Sequence, residues 1–498
     1  MSRANPPKVV VLGGGSAGWI TAALLAKEWG GASVTVIESP EIGIIGVGEG
    51  STPQMKFLFD HLGIEEAEWM AAADATYKLG IRFTGWSARP GFESYFHPFP
   101  GPVDLHTEPG FTHNCMLARR GFDVPAHPDE WFLAARLAAE GKGPYPAENF
   151  PFPPSYGYHF DAYKLGAYLR DWCVAKGVTH VPAKVGEVAL AENGDVAALV
   201  LEDGRQIESD IFVDCSGFRS LIMQEALSEP FVSYADALFA DRAVVLPTAA
   251  PTDFKPQTEA IAMSAGWRWS IPLTTRTGNG YVFASRFISD EDAEAELRAA
   301  TGVDEEVEAR FLKMKVGRVE RSWHRNCLAA GLAQGFVEPL EATALHIVIT
   351  TALDFANAFA AGGFTAQHRD AFNIGIAARY DGIRDYIVAH YRMNQRDGAF
   401  WQACAANQNL SDKLKGMMTA WFTHEDVAAA NHALNGEVPA YSAMSWHCLF
   451  AGYGTFPPPA KMQPLPAQAR AVDPAEVDRM LAACAGNFST MSKSKAQI

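Results

Sequence analysis

The strongest chemical signal in this chain lies near its start. Lys8 to Leu12 (KVVVL) is a short, β-branched apolar run, and Gly13-Gly14-Gly15-Ser16-Ala17-Gly18 follows it directly. WITAALLAKEW comes next and reads as a helix. This is GxGxxG between a strand and a helix, the arrangement that binds a dinucleotide. Gly13 allows the tight turn, Gly15 lets the backbone approach a pyrophosphate, and Gly18 lets the helix pack on the strand. The N–H groups of Ser16 and Ala17 open the helix and face the phosphates. A second strand, SVTVIE, ends at Glu38, 20 residues after Gly18. A carboxylate there accepts hydrogen bonds from ribose hydroxyls and disfavours a 2′-phosphate.

Four further stretches hold groups that could carry chemistry. Lys78 sits in Thr76-Tyr77-Lys78-Leu79-Gly80-Ile81-Arg82-Phe83, a run otherwise suited to a buried strand. A lysine there must find a partner or shift its pKa; the alternative is an edge lysine whose head snorkels to water. Glu341 follows Pro339-Leu340 and opens the helical run ALHIVITTALDFANAFA. An acid at that point is often simply a cap that suits the helix dipole. In Gly266-Trp267-Arg268-Trp269-Ser270-Ile271-Pro272 the two tryptophans are two apart, so on a strand they share a face, which core packing alone would also explain. Most residues of Gly46-Val47-Gly48-Glu49-Gly50-Ser51-Thr52-Pro53 are small or turn-forming, so the segment can lie close to a ligand.

Asp210 to Ser220 (DIFVDCSGFRS) is a strand, an acid at Asp214, and a small-residue turn at Gly217. It could be a generic strand-to-turn junction. It also resembles the second FAD-contacting stretch of flavin hydroxylases and halogenases. Taken with the segments around Val47 and Gly48, Lys78, Trp267 and Glu341, the chain resembles flavin-dependent tryptophan halogenases from about residue 8 to about residue 456. The resemblance implies FAD as the dinucleotide, used as FADH2, with O2 and chloride or bromide as co-substrates and no metal. Hypohalous acid made beside the flavin would travel to Lys78, which hydrogen-bonds it or forms a haloamine. Glu341 would stabilise the cationic ring intermediate or accept its proton. Halide would rest on backbone amides near Thr343 and Ala344. Trp267, Trp269, Ile271 and Pro272 would wall flavin from substrate. His97 and Phe99, in Tyr95-Phe96-His97-Pro98-Phe99, would contact an aromatic substrate, although that stretch also reads as a turn with core aromatics. Tyr441 takes the place of the family's stacking aromatic.

Two departures from the family pattern stand out. Ala342-Thr343-Ala344 replaces the usual Ser-Thr-Gly after the glutamate. The stretch HEDVAAANHALNGEVPAYSAMSW, where relatives grip the amino-acid end of tryptophan, is short and alanine-rich. An indole lacking that end is therefore the expected substrate.

The elements that must position these groups follow the same reading. The fold class expected is α/β, a Rossmann-like FAD-binding fold with an antiparallel substrate sheet and a mainly helical C-terminal region. Residues 1–95, 151–225 and 321–370 would form the discontinuous FAD-binding module. Residues 96–150 and 226–320 would form the substrate side, and 371–498 a helical region ending in a disordered tail, STMSKSKAQI. With 498 residues, two or more packed domains are expected. The net charge of -16 argues against nucleic acid and against anionic membrane surfaces. Seven scattered cysteines, without CxxC, fit reduced thiols in a cytoplasmic protein. No apolar run approaches the roughly 18 residues needed to span a bilayer. Other functions open to this scaffold are an FAD-dependent monooxygenase and a non-catalytic flavin-binding protein. A homodimer is left open.

The glycine motif at Gly13–Gly18 is the one dinucleotide fingerprint found, so FAD leaves no site for NADH. A separate NAD(P)H-dependent flavin reductase is then the expected partner. NADH mixed anaerobically with the FAD-loaded protein should leave the flavin absorbance unchanged until such a reductase is added. Rapid bleaching without it would identify a self-sufficient monooxygenase instead.

Overall fold

The structure is a computed structural model that describes residues 6–41, 43 and 48–491. The chain forms two compact units: residues 1–74, 160–235 and 314–381 in the first, and 75–159, 236–313 and 382–498 in the second. Residues 75–95, expected from sequence in the dinucleotide module, fall in the second unit, as do the helices beyond residue 382.

The first unit is built on a six-stranded sheet. Lys8–Leu12 is an inner strand, paired in parallel with Ser33–Glu38 on one side and Ile211–Asp214 on the other. Val9, Val10 and Val11 are all buried, the unbroken apolar run expected of a parallel strand covered on both faces. Thr179–Pro182 extends one edge and Cys327–Ala329 the other, both in parallel; only the last strand, Trp323–His324, is antiparallel. The helix Ser16–Glu28 makes the crossover between the first two strands. It is buried nearly all round, from Gly18 to Leu25, and packs against the helices Ala162–Ala175 and Ala344–Ala361. Asp161 caps the former by accepting from the N–H groups of Tyr163 and Lys164.

The helix Ala344–Ala361 corrects one expectation. It is 18 residues long with mean hydropathy 1.4, apolar enough by composition to cross a membrane. Its apolar side is spent inside the unit, where Phe355 and Phe359 meet Trp29 and Trp323.

The second unit carries a seven-stranded sheet in the order Arg310–Lys313, Arg242–Ala249, Arg276–Phe283, Gly266–Pro272, Thr258–Met263, Gly80–Thr84, Ser94–Pro98. Neighbours are antiparallel except Thr258–Met263 with Gly80–Thr84, which run parallel. The expected substrate sheet is therefore present but recruits two strands from before residue 100. Burial alternates along Gly266–Pro272, so Trp267, Trp269 and Ile271 share the buried face. A side chain at Gly280 would stand 2.1 Å from the Trp269 ring, so glycine on the neighbouring strand makes room for the indole.

The C-terminal end also differs from expectation. Phe488–Thr490 pairs with Lys142–Pro146 and Met491 is buried, so the loose tail does not begin at Ser489. The remainder, residues 492–498, lies outside the described residues.

Candidate functional site

In the first unit each glycine of the opening motif has a distinct steric reason. Gly13 has φ +121°, and a Cβ there would stand 2.2 Å from the Cys215 carbonyl oxygen. A Cβ at Gly18 would stand 1.9 Å from the Gly13 carbonyl oxygen. Gly14 has no role that sequence alone reveals, yet a Cβ there would run into the Glu38 side chain at 2.1 Å. Gly15 alone faces open space, with nothing within 4 Å. It is also the N-cap of Ser16–Glu28, without a side-chain cap. The first N–H groups of that helix, those of Ser16 and Ala17 included, are thus not spent on a capping side chain. The Ser16 hydroxyl donates to the Ala162 carbonyl. The Glu38 carboxylate, beside Gly14, lies 3.1 Å from His180 Nε2. Open backbone, an uncapped helix N-terminus and a strand-end carboxylate fit the pyrophosphate and ribose of a dinucleotide.

At the second motif the acid and the glycine part company. Asp214 is fully buried, and its carboxylate accepts from the Ser216 N–H and hydroxyl and from the N–H groups of Ile222 and Met223. Its oxygens hold the turn, so it acts on a ligand only by shaping the backbone from Ser216 to Met223. Gly217, with φ +75° and nothing within 4 Å of an added Cβ, is the half-buried backbone with open space beside it. Gly48 has φ +94° and is buried, whereas Val47 and Gly46 lie outside the described residues. Glu49 is half-buried, and desolvation pushes its carboxyl up to about 7.

Glu341 is buried, at the end of a 3-10 turn, Pro339–Glu341, and not in the long helix itself. Ala342 follows in the left-handed region, φ +55°, its N–H donating to the Pro339 carbonyl. The helix starts at Ala344 with Thr343 as an N-cap whose side chain makes no capping bond. Within its first turn, His346 Nδ1 lies 3.1 Å from the Thr52 hydroxyl, and burial lowers its pKa to about 4.

In the second unit Lys78 is completely buried. It ends the strand Thr76–Lys78, which pairs antiparallel with Gly157–Phe160 in the register Thr76 to His159 and Lys78 to Gly157. The next residue, Leu79, is held on both sides: its N–H donates to Pro256, and its carbonyl accepts from Phe99. A Cβ at Gly80 would stand 2.3 Å from the His97 carbonyl oxygen, so the chain can leave Lys78 at this angle only as glycine. The Lys78 ammonium lies 5.5 Å from the Phe99 ring centroid. His97 is buried on the strand Ser94–Pro98, its ring 6.0 Å from that of Tyr386. Tyr441 stacks on Tyr386 with centroids 3.6 Å apart and planes at 9°, and Trp446 meets Tyr386 edge-on at 4.9 Å. The indole N–H groups of Trp267 and Trp269 are buried without a hydrogen-bond partner among the described residues.

The second unit thus gathers Lys78 with Phe99, and His97 with Tyr386 and Tyr441. Sequence reasoning missed Tyr386, Trp446 and His159. Tyr386 sits inside a 25-residue helix, Arg369–Met393, with no signal to single it out. His159 was readable in the same way as Lys78, as a polar residue inside an apolar run. A cavity of about 670 Å³ elsewhere in this unit is lined by Arg89, Arg119, Trp421 and Phe456 among others. Both guanidiniums there are spent on backbone carbonyls, and none of the residues picked from sequence lines it.

The chain has clear likenesses among known proteins. The family model "Tryptophan halogenase" matches residues 8–470. Tryptophan 6-halogenase SttH of Streptomyces toxytricini is 36% identical over 96% of this chain and 94% of that one. Its crystal structure superposes with a TM-score of 0.85 at 32% identity, covering 99% of this chain and 100% of the other. The flavin-dependent halogenase BrvH of Brevundimonas sp. BAL3 superposes with a TM-score of 0.81 at 32% identity, over 98% of both chains.

The pKa shifts of the buried histidines give a stability prediction. Burial lowers His346 and His447 to about 4, while the unfolded chain takes up those protons near 6.5. Between these values the unfolded state binds more protons, so each imidazole costs stability as the pH falls from 6.5 towards 4. Asp104, raised by burial to about 6, pulls the other way, so the readout is a difference between proteins. The urea midpoint of wild type should drop more on acidification from pH 7 to pH 5 than that of His346→Gln. Parallel curves would show that His346 is not held neutral.

Proposed function

Because the chain belongs to the tryptophan halogenase family, we propose that it uses reduced FAD, O2 and chloride or bromide to halogenate an indole-type aromatic. The observation that carries the reading is the complete burial of Lys78 between Tyr77 and Leu79, themselves core residues. An ammonium is costly to desolvate, so a strand that keeps one there does so for chemistry more readily than for stability.

The dinucleotide residues of the first unit, with Gly15, Ser16, Ala17, Glu38 and Gly217, would hold FAD. Bound as FADH2, it supplies with O2 the oxidising equivalents that turn halide into hypohalous acid. The helix starting at Ala344 offers N–H groups without a side-chain cap, together with the positive end of its dipole, so halide would rest beside Thr343 and Ala344. Lys78 donates a hydrogen bond to the oxidant and so makes its halogen more electrophilic. Glu341 accepts the proton that the ring loses, or balances the ring's positive charge before it does. Trp267, Trp269 and Ile271 present a buried apolar face that excludes water, with Pro272 at its end. Reduced flavin would come from a separate reductase, in the cytoplasm.

Lys78→Ala should lose halogenation while still binding FAD, because Lys78 lies outside both dinucleotide motifs. Glu341→Gln should slow product formation by about 10² or more, the usual size of an acid–base contribution. Mass detection of halogenated product, with reduced FAD supplied, reads both. Near wild-type turnover in Lys78→Ala would overturn the lysine's role, and unchanged turnover in Glu341→Gln would leave that residue a structural one.

The aromatic cluster supports a flat substrate without an amino-acid clamp. Tyr441 and Tyr386 are already stacked at 3.6 Å, which leaves no gap for a ring between them. A substrate ring would meet their outer edges, His97 or Phe99, gaining about 0.5–1.5 kcal/mol per aromatic pair beyond buried area. Held so loosely, indole should react at its own most nucleophilic carbon. Free indole should be turned over at least as well as tryptophan, with the 3-halo product dominant. Clean benzo-ring halogenation of tryptophan, with indole ignored, would show that a clamp exists.

A further inference from the structure

His159 is fully buried on the strand paired with that of Lys78, and its two ring nitrogens bond to Thr76 and Thr258, with a further bond running from Thr76 to Pro272. The Thr76 hydroxyl donates to the Pro272 carbonyl at 2.6 Å and lies 3.2 Å from His159 Nδ1. His159 Nε2 lies 2.9 Å from the Thr258 hydroxyl. A hydroxyl has one proton, and a carbonyl can only accept. Thr76 therefore spends its proton on Pro272 and must accept from His159, so Nδ1 carries the hydrogen. Burial, and then the charge on Lys78, lower the imidazole's pKa well below its usual value. A neutral ring with hydrogen on Nδ1 leaves a lone pair on Nε2, and the Thr258 hydroxyl donates to it. The chain of bonds thus has one direction: Thr258 to His159 to Thr76 to Pro272.

We propose that His159 is a positioning residue for Lys78: neutral and fixed in the Nδ1–H tautomer, it ties the lysine's strand to the end of the Trp267–Trp269 strand. Thr76 and Lys78 are two apart on their strand and share a face, while Tyr77 turns the other way, towards Tyr145 and Tyr156. Pro272 closes the strand that carries Trp267, Trp269 and Ile271. Thr258 opens the strand that pairs with Gly80–Thr84, directly after Lys78 and Leu79. One imidazole thereby sets the spacing between the buried ammonium and the apolar wall. Its neutrality keeps a second positive charge away from Lys78. No proton moves through it in the reaction, and it touches neither oxidant nor substrate.

This inference rests on the reading of Lys78 as the group that handles the oxidant. The test compares His159→Phe, which fills the space without a donor, with His159→Asn, whose side-chain N–H can replace Nδ1–H towards Thr76. Reduced FAD, bromide and indole are supplied, and product is measured against flavin oxidised. His159→Phe should lower kcat by about tenfold or more at little-changed KM for indole. It should also uncouple the reaction, so that a soluble β-diketone captures hypobromous acid that wild type uses. His159→Asn should recover most of kcat and coupling. Thr76→Val, an isosteric change, should reproduce the uncoupling with His159 intact, and it decides the matter if His159→Phe does not fold. In wild type, 15N-histidine NMR should show a pyrrole-like Nδ1 and an unprotonated, pyridine-like Nε2 that accepts a hydrogen bond. Full coupling in both His159→Phe and Thr76→Val, with Lys78→Ala inactive, overturns the positioning role alone. An active Lys78→Ala overturns the lysine reading itself. The opposite tautomer would break the hydrogen-bond direction on which the proposal stands.

Discussion

Keeping an ammonium dry inside a sheet is the constraint that shapes much of the second unit. Lys78 is 0% exposed, and a desolvated cation must be compensated by its surroundings. The backbone around it is held rigidly. The chain is pinned at Leu79 by bonds to Pro256 and Phe99, and Gly80 permits a backbone approach that any side chain would block. The Phe99 ring lies within cation–π range of the ammonium. The imidazole nearby is held neutral, since a protonated one would add to the electrostatic cost.

The first unit shows a different feature, backbone left uncovered where its two glycine motifs turn. Three glycines of its opening motif are there because protein atoms crowd them, and only Gly15 is there because none do. The contrast marks where a ligand can approach. At the second motif, Asp214 and Gly217 divide the work in the same manner: one is consumed in making a turn, and the other lies open because of it. A conspicuous acid next to a ligand loop is thus not always a ligand contact. Four close donors and a fifth, the Ser220 hydroxyl at 3.5 Å, already crowd this one buried carboxylate.

What could be read from sequence was local. The strand, glycine turn and helix at Lys8–Glu28 form a pattern contiguous in the chain, and so does the alternation that puts Trp267 and Trp269 on one face. Lys78 was legible because charge conflicts with its apolar neighbours. Long-range pairing was not legible. The parallel contact between Thr258–Met263 and Gly80–Thr84 joins segments far apart in sequence, and nothing in either one names the other. The same holds for Tyr386 against Tyr441, and for Thr76 against Pro272. The strand at Phe488–Thr490 was missed for a related reason: a short polar end looks loose until its partner, Lys142–Pro146, is known.

The turn around Glu341 shows how one residue can set two directions. Ala342 adopts φ +55°, a conformation that costs an ordinary L-residue roughly 1–2 kcal/mol. A neighbouring bond, from its N–H to Pro339, and the buried Leu340 and Glu341 side chains hold it there. On its N-terminal side the turn fixes where the Glu341 carboxylate leaves the backbone. On its C-terminal side it fixes where the helix Ala344–Ala361 begins, and so where its first N–H groups point. The left-handed step at Ala342 stands between the two, which lie within three residues of each other. Glycine there would remove the strain and also the restriction, leaving both directions less well defined. Alanine, though strained, keeps the acid and the helix end in fixed relation.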